Sequence, residues 1–205
     1  MTLGMRSVRI GITGPIGCGK SQVVRWLAEL GARAVDADDE ARAVTAPGSP
    51  THDLVLRRWP DATAPDGTLD RKALGRIVFS DPAALAELEG IVHPAVRPRI
   101  RARIEAAEDA GAPAVAIEAI KLVEGGLADQ CDEVWLVTCD PNVQRYRLVE
   151  RGATPDEADQ RMAAQAGLAE RLAPAATRVI DTSGSATATR AQVAGALEDA
   201  IAERR

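Results

Sequence analysis

Residues 8–21 read Val-Arg-Ile-Gly-Ile-Thr-Gly-Pro-Ile-Gly-Cys-Gly-Lys-Ser. The first six form a short apolar run, which predicts a buried β-strand. The last eight fit the pattern Gly-x-x-x-x-Gly-Lys-Ser, and residues 19–30 place their apolar side chains on one face of a helix. With the glycine and lysine content of this chain, the pattern is expected by chance at roughly the 0.2% level. The stretch therefore predicts a phosphate-binding loop between a strand and a helix.

This loop has the parts that a nucleoside triphosphate requires. Glycines let backbone N–H groups converge on phosphate oxygens, and the N-terminus of the following helix adds partial positive charge. In this pattern Lys20 reaches the β- and γ-phosphates, and the Ser21 hydroxyl is placed to ligate Mg²⁺. We therefore predict an ATP site with Mg²⁺ as cofactor. Its residues in this stretch are Gly14, Ile16, Gly17, Cys18, Gly19, Lys20, Ser21 and Gln22.

The composition excludes several classes of protein. Of 205 residues, 46% are hydrophobic and 27% are charged, which predicts one globular domain with a sizeable core. A net charge of −5 and an aromatic content of 2% argue against nucleic-acid binding through bulk positive charge or base stacking. The 3 cysteines include no Cys-x-x-Cys motif, which argues against a disulfide framework or a zinc site.

The sequence also lacks membrane and export signals. No apolar run approaches the length of a membrane span, and the first residues do not have the layout of a signal peptide. We therefore predict a cytoplasmic protein with no membrane or nucleic-acid partner, acting as a monomer or weak homo-oligomer. We interpret residues 1–4 as a short extension before Met5.

Further apolar runs predict the rest of the fold. The predicted strands end at Asp36, Glu118, Thr138 and Asp181, and helical patterns lie near 141–151, 155–171 and 187–203. Strands that alternate with helices predict an α/β fold with a five-stranded parallel sheet flanked by helices.

Two segments depart from this alternation, within what we interpret as a single domain. Residues 39–112 hold several helical patterns broken by proline and glycine, and we interpret them as a helical insertion that binds an acceptor. Residues 141–173 contain two arginine-rich helical patterns, which we interpret as a lid over ATP. The core is then residues 5–38, 113–140 and 174–205.

This organisation favours a small-molecule kinase over a GTPase. The sequence has no Asn-Lys-x-Asp motif for guanine, and its late Asp-x-x-Gly at Asp181 comes too far along the chain to be a switch aspartate.

An acceptor hydroxyl needs a carboxylate, and Asp38, just after the second strand, is our candidate for the catalytic base. Asp36 would hold the acceptor or the strand end. The alternative is that Asp36, Asp38 and Asp39 form an acidic cluster at a helix N-terminus, and the sequence leaves both open.

The motifs together resemble the dephospho-coenzyme A kinase family, in order from about residue 8 to residue 184. They are Ile-Gly-Cys-Gly-Lys-Ser, Val35-Asp-Ala-Asp38, Ala41-Arg42, Pro47-Gly48, Gly67-Thr-Leu, Arg71-Lys-Ala-Leu74, His93-Pro94 and Val179-Ile-Asp181. The resemblance implies that Asp38 takes the proton of the ribose 3′-hydroxyl of dephospho-CoA, which then attacks the γ-phosphate of ATP. It also implies that the chain catalyses the last step of coenzyme A synthesis.

The same resemblance assigns further site residues. Arg42 and His93 would line the acceptor side, and Arg147 and Arg151 match lid positions that would neutralise charge on ATP. The alternative for the two lid arginines is a solvated helix face. His93 precedes Pro94, which predicts an extended conformation at a helix start. His52, after a proline-rich turn, is predicted to lie on the surface.

The sequence departs from the family pattern after the third strand, where residues 118–124 read Glu-Ala-Ile-Lys-Leu-Val-Glu instead of Asp-x-Pro-Leu-Leu-Phe-Glu. Pro15 and Gln22 also replace the usual glycine and threonine. Glu118 keeps an acid that would hold a water of the Mg²⁺ shell. Lys121, one of 3 lysines, would contact an acceptor phosphate or the transferring group, or lie solvated on a turn.

These changes keep two other functions open. One is a different small-molecule kinase, acting on a nucleoside or nucleotide. The other is a non-catalytic ATP-binding regulator, which would bind ATP without turnover.

Overall fold

The computed structural model describes residues 6–204, and the interpretation of residues 1–4 as an extension lies outside them. The chain divides into two compact units. The sheet unit comprises the residues up to Asp36 and those from Ile104 onward, and the helical unit comprises Ala37–Arg103.

The sheet unit is built on five parallel strands in the order β2-β3-β1-β4-β5. The strands are β1 Val8–Thr13, β2 Arg33–Asp36, β3 Ala114–Glu118, β4 Glu133–Thr138 and β5 Arg178–Asp181. This confirms the predicted five-stranded parallel sheet, and all five strands lie where the apolar runs predict them. Because the strands are parallel, their carboxyl ends meet at one edge, which faces the ligand crevice in open α/β sheets.

Nine α-helices lie in the described part of the chain. They are α1 Lys20–Glu29, α2 Ala37–Val44, α3 Pro50–Arg58, α4 Arg71–Ser80, α5 Pro82–Asp109, α6 Pro141–Glu150, α7 Pro155–Ala163, α8 Leu168–Leu172 and α9 Ala186–Ala202. Short 3₁₀ helices occupy Pro60–Ala62, Ala128–Gln130 and Ala173–Ala175. Of these described helices, none is long and apolar enough to cross a membrane.

The core of the sheet unit is aliphatic with one central tryptophan. The β1 and β4 side chains of Ile10, Ile12 and Trp135 are fully buried against α1 and α9. Helix α1 contributes Val23 and Leu27 on one face, as its sequence predicts. Complete burial of each aliphatic side chain contributes about 1.5–3 kcal/mol, so this cluster fixes the helix that follows the loop.

The helical unit has its own apolar cluster, which includes Val55, Trp59 and Val78. His52 also lies inside this unit with 5% of its surface exposed, so its predicted surface position is wrong. The turn before it caps α3, since the Ser49 hydroxyl accepts a hydrogen bond from the backbone N–H of His52 at 3.1 Å. Because α3 begins at Pro50, His52 lies on the buried face of this helix, three residues before Val55, which the proline-rich sequence did not indicate.

A buried carboxylate also organises the helical unit. Glu40 of α2 is 8% exposed and accepts hydrogen bonds from Arg99 Nε at 2.6 Å and from Arg103 Nε at 2.9 Å. Burial opposes ionisation of this carboxyl, but the two guanidinium groups outweigh it and hold the pKa of Glu40 below its ordinary value. These two arginines of α5 therefore bind Glu40 rather than forming only a solvated basic face.

Two local predictions are wrong. His93 does not begin a helix in an extended conformation, because α5 runs unbroken through His93, Pro94 and Pro98. Proline disfavours a helix interior, but burial of Ile100 and Ile104 further along α5 favours the helix.

The helix predicted over 155–171 is two helices, α7 and α8. The chain turns between them, and Gly167 begins α8 in the left-handed conformation with φ 69°. A glycine tolerates this conformation because it lacks a Cβ atom.

Candidate active site

The predicted phosphate loop joins β1 to α1, as the motif requires. Gly14 has φ 139°, and a Cβ atom there would lie 2.1 Å from the Val137 carbonyl oxygen of β4. Gly19 precedes α1 with φ 90° in the left-handed region. These two glycines let the loop turn tightly against β4 and bring its peptide groups to the N-terminus of α1.

Lys20 lies across the loop. Its Nζ donates hydrogen bonds to the carbonyl oxygens of Gly14 at 2.9 Å and Pro15 at 3.0 Å. These bonds hold the ammonium group over the loop, where phosphate oxygens bind in this motif.

Ser21 and Glu118 meet at the carboxyl edge of the sheet. The Ser21 hydroxyl donates to Glu118 Oε1 at 3.0 Å. Glu118 ends β3 and is the register partner of both Ile12 in β1 and Asp36 in β2. A hydroxyl and a carboxylate are hard oxygen donors of the kind Mg²⁺ prefers. Within residues 6–204, no cluster of three or more His, Cys, Asp or Glu side chains is arranged to hold a metal by itself.

Two glutamines hold the loop from the opposite flank. The Gln165 side-chain oxygen accepts the Ile16 N–H at 2.7 Å, and Gln144 Nε2 donates to the Ile16 carbonyl at 2.7 Å. Gln144 lies in α6 and Gln165 between α7 and α8, so both come from the segment predicted as a lid. Sequence reasoning missed them because neither belongs to a motif.

A cavity of about 440 Å³ opens beside the loop. Its lining includes Gly19, Gln22, Trp26, Arg147, Arg151 and Thr182. Both predicted lid arginines therefore lie on the same cavity as the loop. Arg147 is fixed by hydrogen bonds to Thr182, from Nη1 to the hydroxyl and from Nη2 to the carbonyl, each 2.7 Å long.

The pKa of the Cys18 thiol is lowered by groups that surround the loop. The thiol is buried, and a hydrogen bond from the Cys139 thiol lowers the pKa of Cys18. Burial opposes this shift, while the nearby cations Lys20 and Arg147 add to it, so the net direction is downward. The two cations therefore create a positive field at the loop, which favours bound anions.

The candidate acceptor residues fall on several elements. Asp36 ends β2 at the carboxyl edge, whereas Asp38 lies in the first turn of α2 with Asp39 and Glu40. Arg42 follows Asp38 by four residues on α2 and forms an ion pair with Asp39 at 2.9 Å. Asp38 and Arg42 therefore share one face of that helix.

The two other candidates lie elsewhere. His93 is inside α5. Lys121 is exposed in the turn after β3, next to Leu122, which is fully buried. A Cβ atom on Gly11 of β1 would lie 2.5 Å from Leu122 Cδ2, so the altered segment 118–124 still packs closely on the central strand.

The sheet order, the loop that starts α1 and the cavity with two arginines define a P-loop kinase of the small-molecule type. A family model described as dephospho-CoA kinase matches residues 8–188. The dephospho-CoA kinase of Symbiobacterium thermophilum is 47% identical over 189 residues, which cover 91% of this chain and 79% of that protein. The chain belongs to the dephospho-CoA kinase family.

Solved structures share the fold of this chain. TT1252 from Thermus thermophilus is 34% identical with a TM-score of 0.80, covering 97% of this chain and 98% of that one. The dephospho-CoA kinase from Campylobacter jejuni shares the fold, with a TM-score of 0.68 at 21% identity over 96% of this chain and 98% of that one. The resemblance read from the motifs is thereby confirmed.

Proposed function

We propose that this chain transfers the γ-phosphate of ATP to the ribose 3′-hydroxyl of dephospho-CoA, giving CoA and ADP in the last step of coenzyme A biosynthesis. The observation that carries the proposal is the meeting of Ser21 and Glu118 beside Lys20, at the mouth of a strand–loop–helix phosphate site, in a chain of this family. Family membership also favours catalysis over the two alternatives, a different small-molecule kinase and a regulator without turnover.

The donor nucleotide would bind to the loop and the adjoining cavity. Phosphate oxygens would replace the Gly14 and Pro15 carbonyls as partners of Lys20, since a charged acceptor makes the stronger hydrogen bond. Arg147 and Arg151 would contribute positive charge from the cavity wall as charge develops in the transition state.

Mg²⁺ fits the oxygen donors present. The Ser21 hydroxyl would ligate it, and Glu118 would hold a water of its shell or accept from Ser21, as it does in the structure. When bound, the ion neutralises phosphate charge and so makes transfer easier.

The acceptor would be handled by residues outside the loop. Asp38 would accept the proton of the attacking hydroxyl, and Asp36 would hold the acceptor or the strand end. Arg42 and His93 would line the acceptor side, and Lys121 would contact a phosphate of dephospho-CoA or the transferring group. We assign residues 39–112 to acceptor binding, 141–173 to the lid, and 5–38, 113–140 and 174–205 to the core of one kinase domain.

The proposed partners are two small molecules, ATP and dephospho-CoA. The proposal includes no nucleic acid or membrane partner. It places the enzyme in the cytoplasm as a monomer or weak homo-oligomer.

The test is ADP release from Mg·ATP with dephospho-CoA, with AMP, and with no acceptor, using wild type and Asp38→Asn. We expect turnover with dephospho-CoA alone and a loss of about 10²–10⁴-fold in kcat for Asp38→Asn, since the amide cannot take the proton. Asp61→Asn, at an exposed position of the helical unit, is the matched control and should keep wild-type kcat.

Each other outcome has a distinct meaning. Turnover with AMP would identify a nucleotide kinase. ATP binding without any turnover would identify the non-catalytic regulator. Wild-type kcat in Asp38→Asn would remove Asp38 as the base. The phosphorylated product is compared with CoA by chromatography and mass spectrometry to locate the new phosphate.

A further inference from the structure

Thr182 lies where β5 ends, between the phosphate loop and Arg147. The residue is 4% exposed, and its backbone N–H donates to the Thr138 carbonyl of β4 at 2.9 Å. Its side-chain hydroxyl lies 2.7 Å from the Cys18 carbonyl of the loop and 2.7 Å from Arg147 Nη1. One buried hydroxyl therefore touches both components of the donor site.

The direction of these hydrogen bonds follows from the number of protons. Arg147 can only donate, so the Thr182 hydroxyl accepts from it. The hydroxyl has one proton of its own, and the Cys18 carbonyl at 2.7 Å is nearer than the Thr138 carbonyl at 3.2 Å. The Thr138 carbonyl already accepts the Thr182 N–H. The hydroxyl proton therefore goes to Cys18.

A hydrogen bond to the Cys18 carbonyl fixes more than that oxygen. The peptide unit that carries this carbonyl also carries the N–H of Gly19, and in a planar trans peptide the two point in opposite directions. Holding the carbonyl toward Thr182 therefore aims the Gly19 N–H away from Thr182. The same bond polarises the peptide and makes its N–H a better donor. Since Gly19 has the conformational freedom of a glycine at φ 90°, this peptide needs an external constraint.

Arg147 is held in a comparable way. Its two terminal nitrogens bind the hydroxyl and the backbone carbonyl of one residue, Thr182. Such a two-point contact sets the plane of the guanidinium group, not only its distance. The side chain leaves α6 and lines the cavity beside Gly19 in this fixed plane.

We propose that Thr182 is a positioning residue that aims the Gly19 N–H and the Arg147 guanidinium group together at the phosphates of the donor nucleotide. The inference rests on the proposed function only for its donor half, binding of ATP. Thr182 does not touch the nucleotide phosphates itself in this proposal. It couples two groups that do.

The test measures the Kd of Mg·ATP by calorimetry with no acceptor present, in wild type, Thr182→Val and Thr182→Ser. Valine keeps the shape and removes the hydroxyl, so we expect the Kd to rise about tenfold, which corresponds to about 1.4 kcal/mol. Serine keeps the hydroxyl and should restore the Kd to within about threefold of wild type. The KM for ATP should follow the Kd, while the KM for dephospho-CoA stays constant.

Thr177→Val is the matched control. The Thr177 hydroxyl, at the opposite end of β5, accepts the backbone N–H of Val134 and donates to the Val134 carbonyl. The substitution removes a hydroxyl that joins β4 to the start of β5, away from the loop, and should leave the ATP Kd unchanged. An effect of Thr182→Val that Thr177→Val reproduces would show a merely structural role and overturn the proposal.

A double-mutant cycle with Arg147→Met tests the coupling. The penalty of Thr182→Val should shrink at least threefold in that background, because one of its two targets is gone. Full additivity, or a Thr182→Val Kd within twofold of wild type, would overturn the inference. Wild-type protein that binds ATP but does not use dephospho-CoA would instead overturn only the acceptor half of the proposed function.

Discussion

The two edges of the parallel sheet use their polar side chains differently. At the amino edge, Glu133 accepts hydrogen bonds from Trp135 Nε1 at 2.5 Å and from Arg178 Nε at 2.8 Å. Arg178 also binds Glu203 at 3.0 Å. At the carboxyl edge, the bonds described for Lys20 and Arg147 go to carbonyl and hydroxyl oxygens of the loop and its neighbour.

The charged groups of the amino edge stabilise the fold, whereas those of the carboxyl edge are placed to bind a ligand. At the amino edge, the opposite charges bind each other, so they attract a ligand only weakly. Removing one of them should lower the stability of the fold. At the carboxyl edge, Arg147 is bound by the neutral hydroxyl and carbonyl oxygens of Thr182 on the wall of the cavity, so its charge can act on a bound anion. Substitutions at the two edges should therefore affect different measurements.

The largest effect is expected for Lys20→Met at the carboxyl edge. The methionine keeps the length of the chain but removes the charge, so kcat/KM should fall by about 10³-fold or more. Stopped-flow or coupled assays with Mg·ATP check this. The control is Lys72→Met, at the start of α4, which should keep wild-type kinetics. A loss below tenfold would show that the ammonium group does not stabilise the transferring phosphate.

At the amino edge, Arg178→Met should cost about 2–3 kcal/mol of unfolding free energy, because it leaves Glu133 buried without its cation. The KM values should stay at wild type. Arg190→Met is the matched control, since its ion pair with Glu29 is about half exposed on both sides and should contribute less than about 1 kcal/mol. Urea unfolding followed by tryptophan fluorescence measures both. A kinetic defect in Arg178→Met would contradict the separation of the two edges.

A substitution of Glu40 tests whether the ion pairs of this carboxylate with Arg99 and Arg103 stabilise the helical unit. Glu40→Gln removes the charge bound by Arg99 and Arg103 and should cost about 2 kcal/mol. Because the pKa of Glu40 is lowered in the folded state, its contribution is complete above the ordinary value of 4.5 and is lost as the pH falls through the lower, folded-state value. Wild type should therefore lose more stability than Glu40→Gln as the pH falls below the ordinary value of 4.5. Parallel pH curves for the two proteins would refute this.

The smallest effect is expected for Gln165→Ala. It removes the acceptor of the Ile16 N–H and should raise the KM for ATP about three- to tenfold, with little change in the KM for dephospho-CoA. Gln160→Ala on α7, at an exposed position, is the control. Equal KM values in the two variants would show that the loop does not need the contact.

The sequence predicts those parts of the molecule whose defining residues are all contiguous in one segment. The strand–loop–helix of residues 8–29 is such a segment, since its apolar run, its glycines and its lysine are contiguous. The other four strands are also predicted, because each contains a short apolar run that ends in a polar residue. Ser21 and Glu118 were predicted separately as residues of the Mg²⁺ site. Their hydrogen bond brings the two side chains together, since α1 follows the loop after β1 and Glu118 ends the neighbouring strand β3.

The missed features depend on contacts between distant segments. Gln165 and Ile16 are 149 residues apart, and Thr182 and Cys18 are 164 residues apart. No local pattern identifies such pairs. The helix through His93 and Pro94 was missed because burial along α5 outweighs the local preference of a residue before proline.

The central position of β1 has a consequence for synthesis of the chain. Its neighbours in the sheet are β3 and β4, and β3 begins only at Ala114. At about 5–20 residues per second, a ribosome needs on the order of 5–20 s to add the intervening chain, and during that time the central strand has no partner. Nascent chains stalled before Ala114 should be cut by protease within residues 8–36, whereas full-length chains resist. The strand that starts the sequence motif is thus among the last to be secured.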